Sequence, residues 1–286
     1  MTACLARPLS NLPMNLSPIL AIALAATATT APLHADVSPA AFAADLIAKN
    51  QDALVEIQAT LSVKPEVLEG PPGIADMLNQ QPAEEQPSEA NGVIIHASGL
   101  IVAPLAPLDP GAVAGGGIEL DTPLGKLKLS MTTTVSALKI VMPDGLEHPA
   151  EIILRDPAAG FALLKLTTPP AAGLPAVTLT RDLPTPLPFS PLYDLVRLSA
   201  DFGRSPAIRT LRFVQATPPP GPLYDLTGPL STIGSAVFDA AGQFRGLTVM
   251  PLRNQGGGLS LDSLDGSQAC LLPTAEILRL AAKALP

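Results

Sequence analysis

Asn91-Gly92-Val93-Ile94-Ile95-His96-Ala97-Ser98-Gly99-Leu100-Ile101-Val102 sets two short apolar runs on either side of an Ala-Ser-Gly step. Runs of four to six β-branched and aliphatic residues bounded by turn residues read as strands, so this stretch predicts a hairpin. The same grammar recurs further along. Leu138-Lys139-Ile140-Val141-Met142 and Ala150-Glu151-Ile152-Ile153-Leu154 flank Pro143-Asp144-Gly145. Ser235-Ala236-Val237-Phe238 and Phe244-Arg245-Gly246-Leu247-Thr248-Val249 flank Asp239-Ala240-Ala241-Gly242. Before them, Leu54-Val55-Glu56-Ile57-Gln58-Ala59-Thr60-Leu61 roughly alternates apolar with polar, the period of a half-buried strand. Many short strands joined by Gly, Asp and Pro turns predict an all-β barrel or sandwich.

Helices are expected only near the ends of the globular region. Ser38-Pro39 caps one that presents Phe42, Ala43, Leu46 and Ile47 on one face and stops at Asn50-Gln51. Thr274 caps another, with Ile277, Leu278, Ala281 and Ala284 on its apolar side. Residues 64–91 are rich in Pro, Glu and Gln without a clear period and are read as a mobile, disordered surface loop.

Residues 1–35 contain one basic residue, Arg7, and no acidic one; a compact apolar stretch, Ile19 to Ala26, is followed by small residues up to Ala35. That order predicts a secretory signal peptide cleaved after Ala35, hence a periplasmic or secreted protein. The apolar stretch falls short of the roughly 20 residues that span a bilayer, so no membrane span is expected after cleavage. Residues 36–286 then carry 16 basic and 25 acidic groups, a formal charge of −9. The acidity argues against nucleic acid, and the absence of Trp leaves few stacking platforms. Of the two cysteines only Cys270 lies beyond the signal, inside an apolar run that suits a buried thiol.

Three stretches in order resemble the Deg/HtrA type of trypsin-like serine protease. The opening hairpin resembles that family's first barrel hairpin. Ile140 to Gly145, with Pro149 to Pro157 and Ala162-Leu163-Leu164-Lys165-Leu166, resembles the strands running into its Asp segment. Gly234-Ser235-Ala236-Val237-Phe238-Asp239 with Gly242 and Gly246-Leu247 resembles the strand pair after its nucleophile. The resemblance implies two six-stranded antiparallel barrels over residues 36–286, with short helices at each end. The PDZ domain that usually follows in the family is not expected here.

The family's chemistry needs a Ser activated by a His that an Asp orients. The matching positions here hold Ala106, Gly160 and Ile233, so none of the three groups is kept. Ser231 stands where the family has a glycine, which puts the oxyanion hole in doubt. Ser235 is the fallback nucleophile, and an active peptidase using it is the alternative reading. It needs a general base, and the region beyond the signal offers only His96 and His148, both beside hairpin turns. Two scattered histidines and one cysteine lack metal-ligand spacing, so no metal is expected. Gly115-Gly116-Gly117 and Gly256-Gly257-Gly258 lack the pattern of a phosphate cradle, so no cofactor is expected either.

The resemblance therefore implies a catalytically degenerate domain that acts by binding or as a structural part of the cell envelope. The expected partner is an extended peptide or an envelope protein, held near Thr232, Ile233 and Gly234. An insertion at residues 105–137, longer than the family needs, is placed to cover that cleft.

Overall fold

A computed structural model describes residues 38–71, 73–114, 117–123, 125–216, 223–227, 233–250 and 269–284. The first barrel is built from β1 (Leu54–Glu69), β2 (Glu84–His96), β3 (Leu100–Pro104), β5 (Gly125–Val141), β6 (Glu147–Asp156) and β7 (Phe161–Leu166). They run in the order β1-β2-β3-β7-β6-β5, and a β1–β5 pairing closes the ring; β4 (Ile118–Thr122) hangs on the outer part of β5. The second barrel closes as β10-β13-β12-β11-β8-β9, from β8 (Pro191–Arg197), β9 (Pro206–Ala216), β10 (Tyr224–Thr227), β11 (Ala236–Asp239), β12 (Phe244–Val249) and β13 (Cys270–Pro273). All the pairings are antiparallel. The predicted pair of six-stranded barrels is therefore the observed fold.

Burial explains the strand compositions. Strands β3, β11 and β13 are largely apolar because both faces are covered, and β12, covered as fully, buries Arg245 and Thr248 among its apolar residues. Strand β1 alternates because Val55, Ile57, Ala59 and Leu61 point inward while Gln58 and Thr60 stay half-buried. A single apolar cluster runs from Ile57, Ile101 and Leu164 in the first barrel to Phe238, Phe244 and Leu272 in the second. The barrels thus share a packed interface.

Both expected helices form. In α1 (Pro39–Asn50) Ser38 Oγ accepts from the Ala41 N–H at 3.2 Å, and Leu46 is buried. Phe42 packs on Tyr193 of β8 with ring centroids 4.7 Å apart. Among the described residues the later α-helices are α2 (Ile74–Asn79), α3 (Pro110–Ala114) and α4 (Thr274–Ala284). In α4 the buried residues include Ile277, Leu280 and Ala281, with Leu278 only half-buried. Thr274 Oγ1 donates to the Phe244 carbonyl at 2.8 Å, so this hydroxyl anchors the helix to β12.

Residues 64–91 differ from the expectation. In place of a disordered loop, β1 continues to Glu69, α2 follows, and β2 begins at Glu84. The outer halves of β1 and β5 pair from Ser62↔Thr134 to Glu69↔Lys128, and β4 extends the sheet. The Val67 N–H donates to Asn79 Oδ1 at 2.8 Å, which ties α2 to β1. This arm is invisible to local pattern because residues 84–91 pair back onto β1 across the α2 connection and residues 62–69 pair with β5 beyond the whole 105–124 stretch. Residues 105–137 supply its other side. Helix α3 packs on β5, where the Gly111 N–H donates to Thr133 Oγ1 at 3.3 Å.

Candidate functional site: the inter-barrel cleft

Strand β3 ends at Pro104, paired with Phe161 at the start of β7. The chain then turns through residues 105–108, with Leu105 and Leu108 buried and Ala106 half-buried between them. The Leu105 N–H donates to the Gly160 carbonyl at 2.9 Å. Gly160 itself closes the turn after β6. Its φ of 74° lies in the left-handed region that suits glycine, and Asp156 Oδ1 accepts from the Ala159 N–H within that turn. Ala106 and Gly160 therefore sit on adjoining turns.

The second barrel brings Ile233 and Gly234 to the same place. Thr248 of β12 holds this turn: its carbonyl accepts from the Gly234 N–H at 2.8 Å, and its Oγ1 accepts from the Ser235 N–H at 2.8 Å. Gly234 has φ 92°, and a Cβ there would lie 2.3 Å from the Asn91 carbonyl oxygen and 3.1 Å from Pro104 Cδ. The turn thus abuts the end of β3, one step before the Ala106 turn. Ile233 therefore lies on a turn packed near the turns that carry Ala106 and Gly160. The three positions, Ala106, Gly160 and Ile233, carry a methyl, a hydrogen and a branched alkyl group, none of which can attack a carbonyl or move a proton. Ser231 and Thr232 lie outside the described residues.

Ser235 is fully buried. Its hydroxyl is hydrogen-bonded to the carboxylate of Asp194 on β8, which also pairs with Arg209 of β9 at 2.9 Å. Burial pushes the Asp194 carboxyl above its ordinary value, and Arg209 and Ser235 oppose that shift. The Ser235 hydroxyl is thus engaged inside barrel two. Neither histidine approaches the cleft. His96 lies five positions beyond Asn91, about 16 Å along the strand, and bonds Ser98. His148 lies eight positions before Asp156, about 26 Å along β6.

A cleft of about 430 Å³ opens beside Ile233, with Asn91 and Pro107 on the first-barrel wall and Arg197 and Phe202 on the other. Pro107 is the one lining residue, among those described, from the insertion at 105–137; α3, β4 and β5 lie on the arm. Arg197 spans the barrels, donating to the carbonyls of Leu54, Gln51 and Arg204 at 3.1, 2.7 and 2.8 Å. Arg204, at φ 54°, donates to the buried Glu56 at 2.8 Å. Sequence reasoning passed over Asp194, Arg197 and Glu56. Their one signal is a charge set within an apolar run, which in a buried strand demands a partner.

Among the described residues, no group of His, Cys, Asp or Glu could hold a metal, and no helix is long and apolar enough to cross a membrane. No protein-family model matches the chain, and no curated protein matches it. Among solved structures, a variant of the HtrA-type protease AlgW with a decapeptide is similar, with a TM-score of 0.51 and 16% identity; the likeness covers 84% of this chain and 65% of that one. Two closed, antiparallel, six-stranded barrels in this strand order, matched at that score, give the chain a trypsin-like serine protease fold.

Proposed function

We propose that this is an exported pseudoprotease, periplasmic or secreted, that binds an extended peptide or a segment of an envelope protein in the inter-barrel cleft without cutting it. The observation that carries the reading is an inter-barrel cleft lined by Ile233 and lying close to the turns of Ala106 and Gly160, residue types that can neither attack a carbonyl nor move a proton. Losing triad members costs roughly 10⁴- to 10⁶-fold in such enzymes, and the losses do not add because the three act as a unit. Extended segments bind by edge pairing and side-chain pockets without any need for catalysis. The solved AlgW structure, with its decapeptide, supports a peptide as the kind of occupant. Export rests on residues 1–35, and protein from the native cell envelope is expected to begin at Asp36 by N-terminal sequencing.

The test has two arms. A fluorophosphonate probe should leave the protein unlabelled, and a peptide array should show binding that Ile233→Arg abolishes. Stoichiometric labelling that disappears in Ser235→Ala would overturn the reading, as would equal array binding by both proteins.

A further inference from the structure

The cleft has a chemical character as well as a shape. Its wall on the second barrel is the β8–β9 turn, residues 198–205, which displays Phe202 with 68% of its surface exposed. That turn is held from several sides. Leu198 N–H donates to Ser205 O, and Arg204 N–H donates to Ser199 O at 3.1 Å. Arg204 keeps a left-handed backbone while its side chain pairs with Glu56 of β1 and its carbonyl receives Arg197. A non-glycine residue in that region is strained and persists only where its surroundings fix it. An aromatic side chain held in water on a clamped turn is a contact surface with its ordering cost already met.

The charges around it are one-sided. Arg197, which lines the cleft, is committed to three carbonyls, and Arg204 on the neighbouring turn to Glu56. Facing the cleft from β2 is the exposed Glu89, and Asp201 stands exposed beside Phe202; neither has an ion pair among the described residues. Glu89 pairs with Gln58 in register, so its side chain shares the face of the hairpin that carries Glu56. Glu85, four positions back along β2, lies on that face too and is also exposed.

We infer that the occupant of the cleft is a cationic extended peptide, an apolar residue meeting Phe202 and Ile233 and flanking Lys or Arg residues meeting Glu89 and Asp201. The inference rests on the peptide-binding reading above and specifies its partner. Acidic groups on opposite walls attract a cation from both sides and repel an acidic competitor, so they select by charge as well as bind.

The test uses the purified protein and three fluorescein-labelled decapeptides, alternating Val with Lys, Val with Thr or Val with Glu, followed by fluorescence anisotropy. The Lys peptide should bind about tenfold more tightly than the Thr peptide, and the Glu peptide least. Glu89→Lys and Asp201→Lys should each weaken the Lys peptide about tenfold, and Phe202→Ala should weaken the Lys and Thr peptides together. Glu119→Lys on β4 makes the same change in net charge and should leave all three within about twofold. Equal losses from Glu89→Lys and Glu119→Lys would overturn the inference in favour of diffuse attraction. Equal binding of the Lys and Thr peptides, both lost in Ile233→Arg, would overturn it while leaving the peptide-binding reading intact. Binding of none of the three would overturn this inference, and a blank peptide array as well would overturn both.

Discussion

Gly234 of the second barrel rests against the carbonyl of Asn91 in the first, so closely that a Cβ on Gly234 would lie 2.3 Å from the Asn91 oxygen. That contact presses the Ile233 turn onto β2 and the end of β3. It brings Ile233 to the wall of the inter-barrel cleft, beside Asn91.

Gly234→Ala should therefore cost more than backbone strain alone. A residue forced into the left-handed region costs about 1–3 kcal/mol. Gly145, at φ 85° with nothing within 4 Å of its Cβ position, isolates that strain. Urea unfolding should show Gly234→Ala clearly less stable than Gly145→Ala. Equal midpoints would mean the barrels separate there at no cost.

Arg197→Met should destabilise the protein by about 3 kcal/mol. The substitution keeps apolar bulk but leaves the Gln51, Leu54 and Arg204 carbonyls without their donor, and an orphaned buried polar group costs about 1–3 kcal/mol. Arg197→Lys should recover little, because an ammonium cannot fork toward three acceptors. Guanidinium unfolding of the three proteins reads this directly.

Asp194 should give the protein an unusual pH dependence. Its folded pKa is raised above the ordinary 3.8, chiefly by burial, so the folded state holds the proton more tightly than the unfolded chain does. The resulting stability is fully present below the ordinary pKa and declines as pH rises toward the folded value. Asp194→Asn removes that titration. Wild-type stability minus variant stability should therefore shrink as pH rises from 3.8 through this window, and a difference that grows would contradict the burial argument.

Limited proteolysis should spare residues 64–69 and 84–91. Both lie in paired strands, and Val67, opposite Leu129, is also tied to α2 by its N–H donating to Asn79 Oδ1. Early cuts should fall in the connections on either side of α2, where the backbone is less tied down. Mass spectrometry of the first fragments decides between this and cleavage spread through the arm.

The sequence by itself determined a good deal. Period-two burial in β1, the Gly and Asp turns of the hairpins and the capped helix at Ser38 could be read directly, because each depends on residues within a few positions of one another. That Ala106, Gly160 and Ile233 cannot carry a proton is equally local, since residue type alone decides it. The tertiary structure decided the rest. The arm exists because Ser62 meets Thr134 and Glu69 meets Lys128, pairings that leave no local trace. Sequence alone leaves Ser235 open as a spare nucleophile; the fold buries it against Asp194, which pairs with Arg209. Arg197 reaches carbonyls more than 140 positions away, which nothing in its sequence neighbourhood signals. Alternation records which face of a strand is buried; it does not record what lies across from it, and hydrogen bonds between distant segments are made only once the barrels have closed.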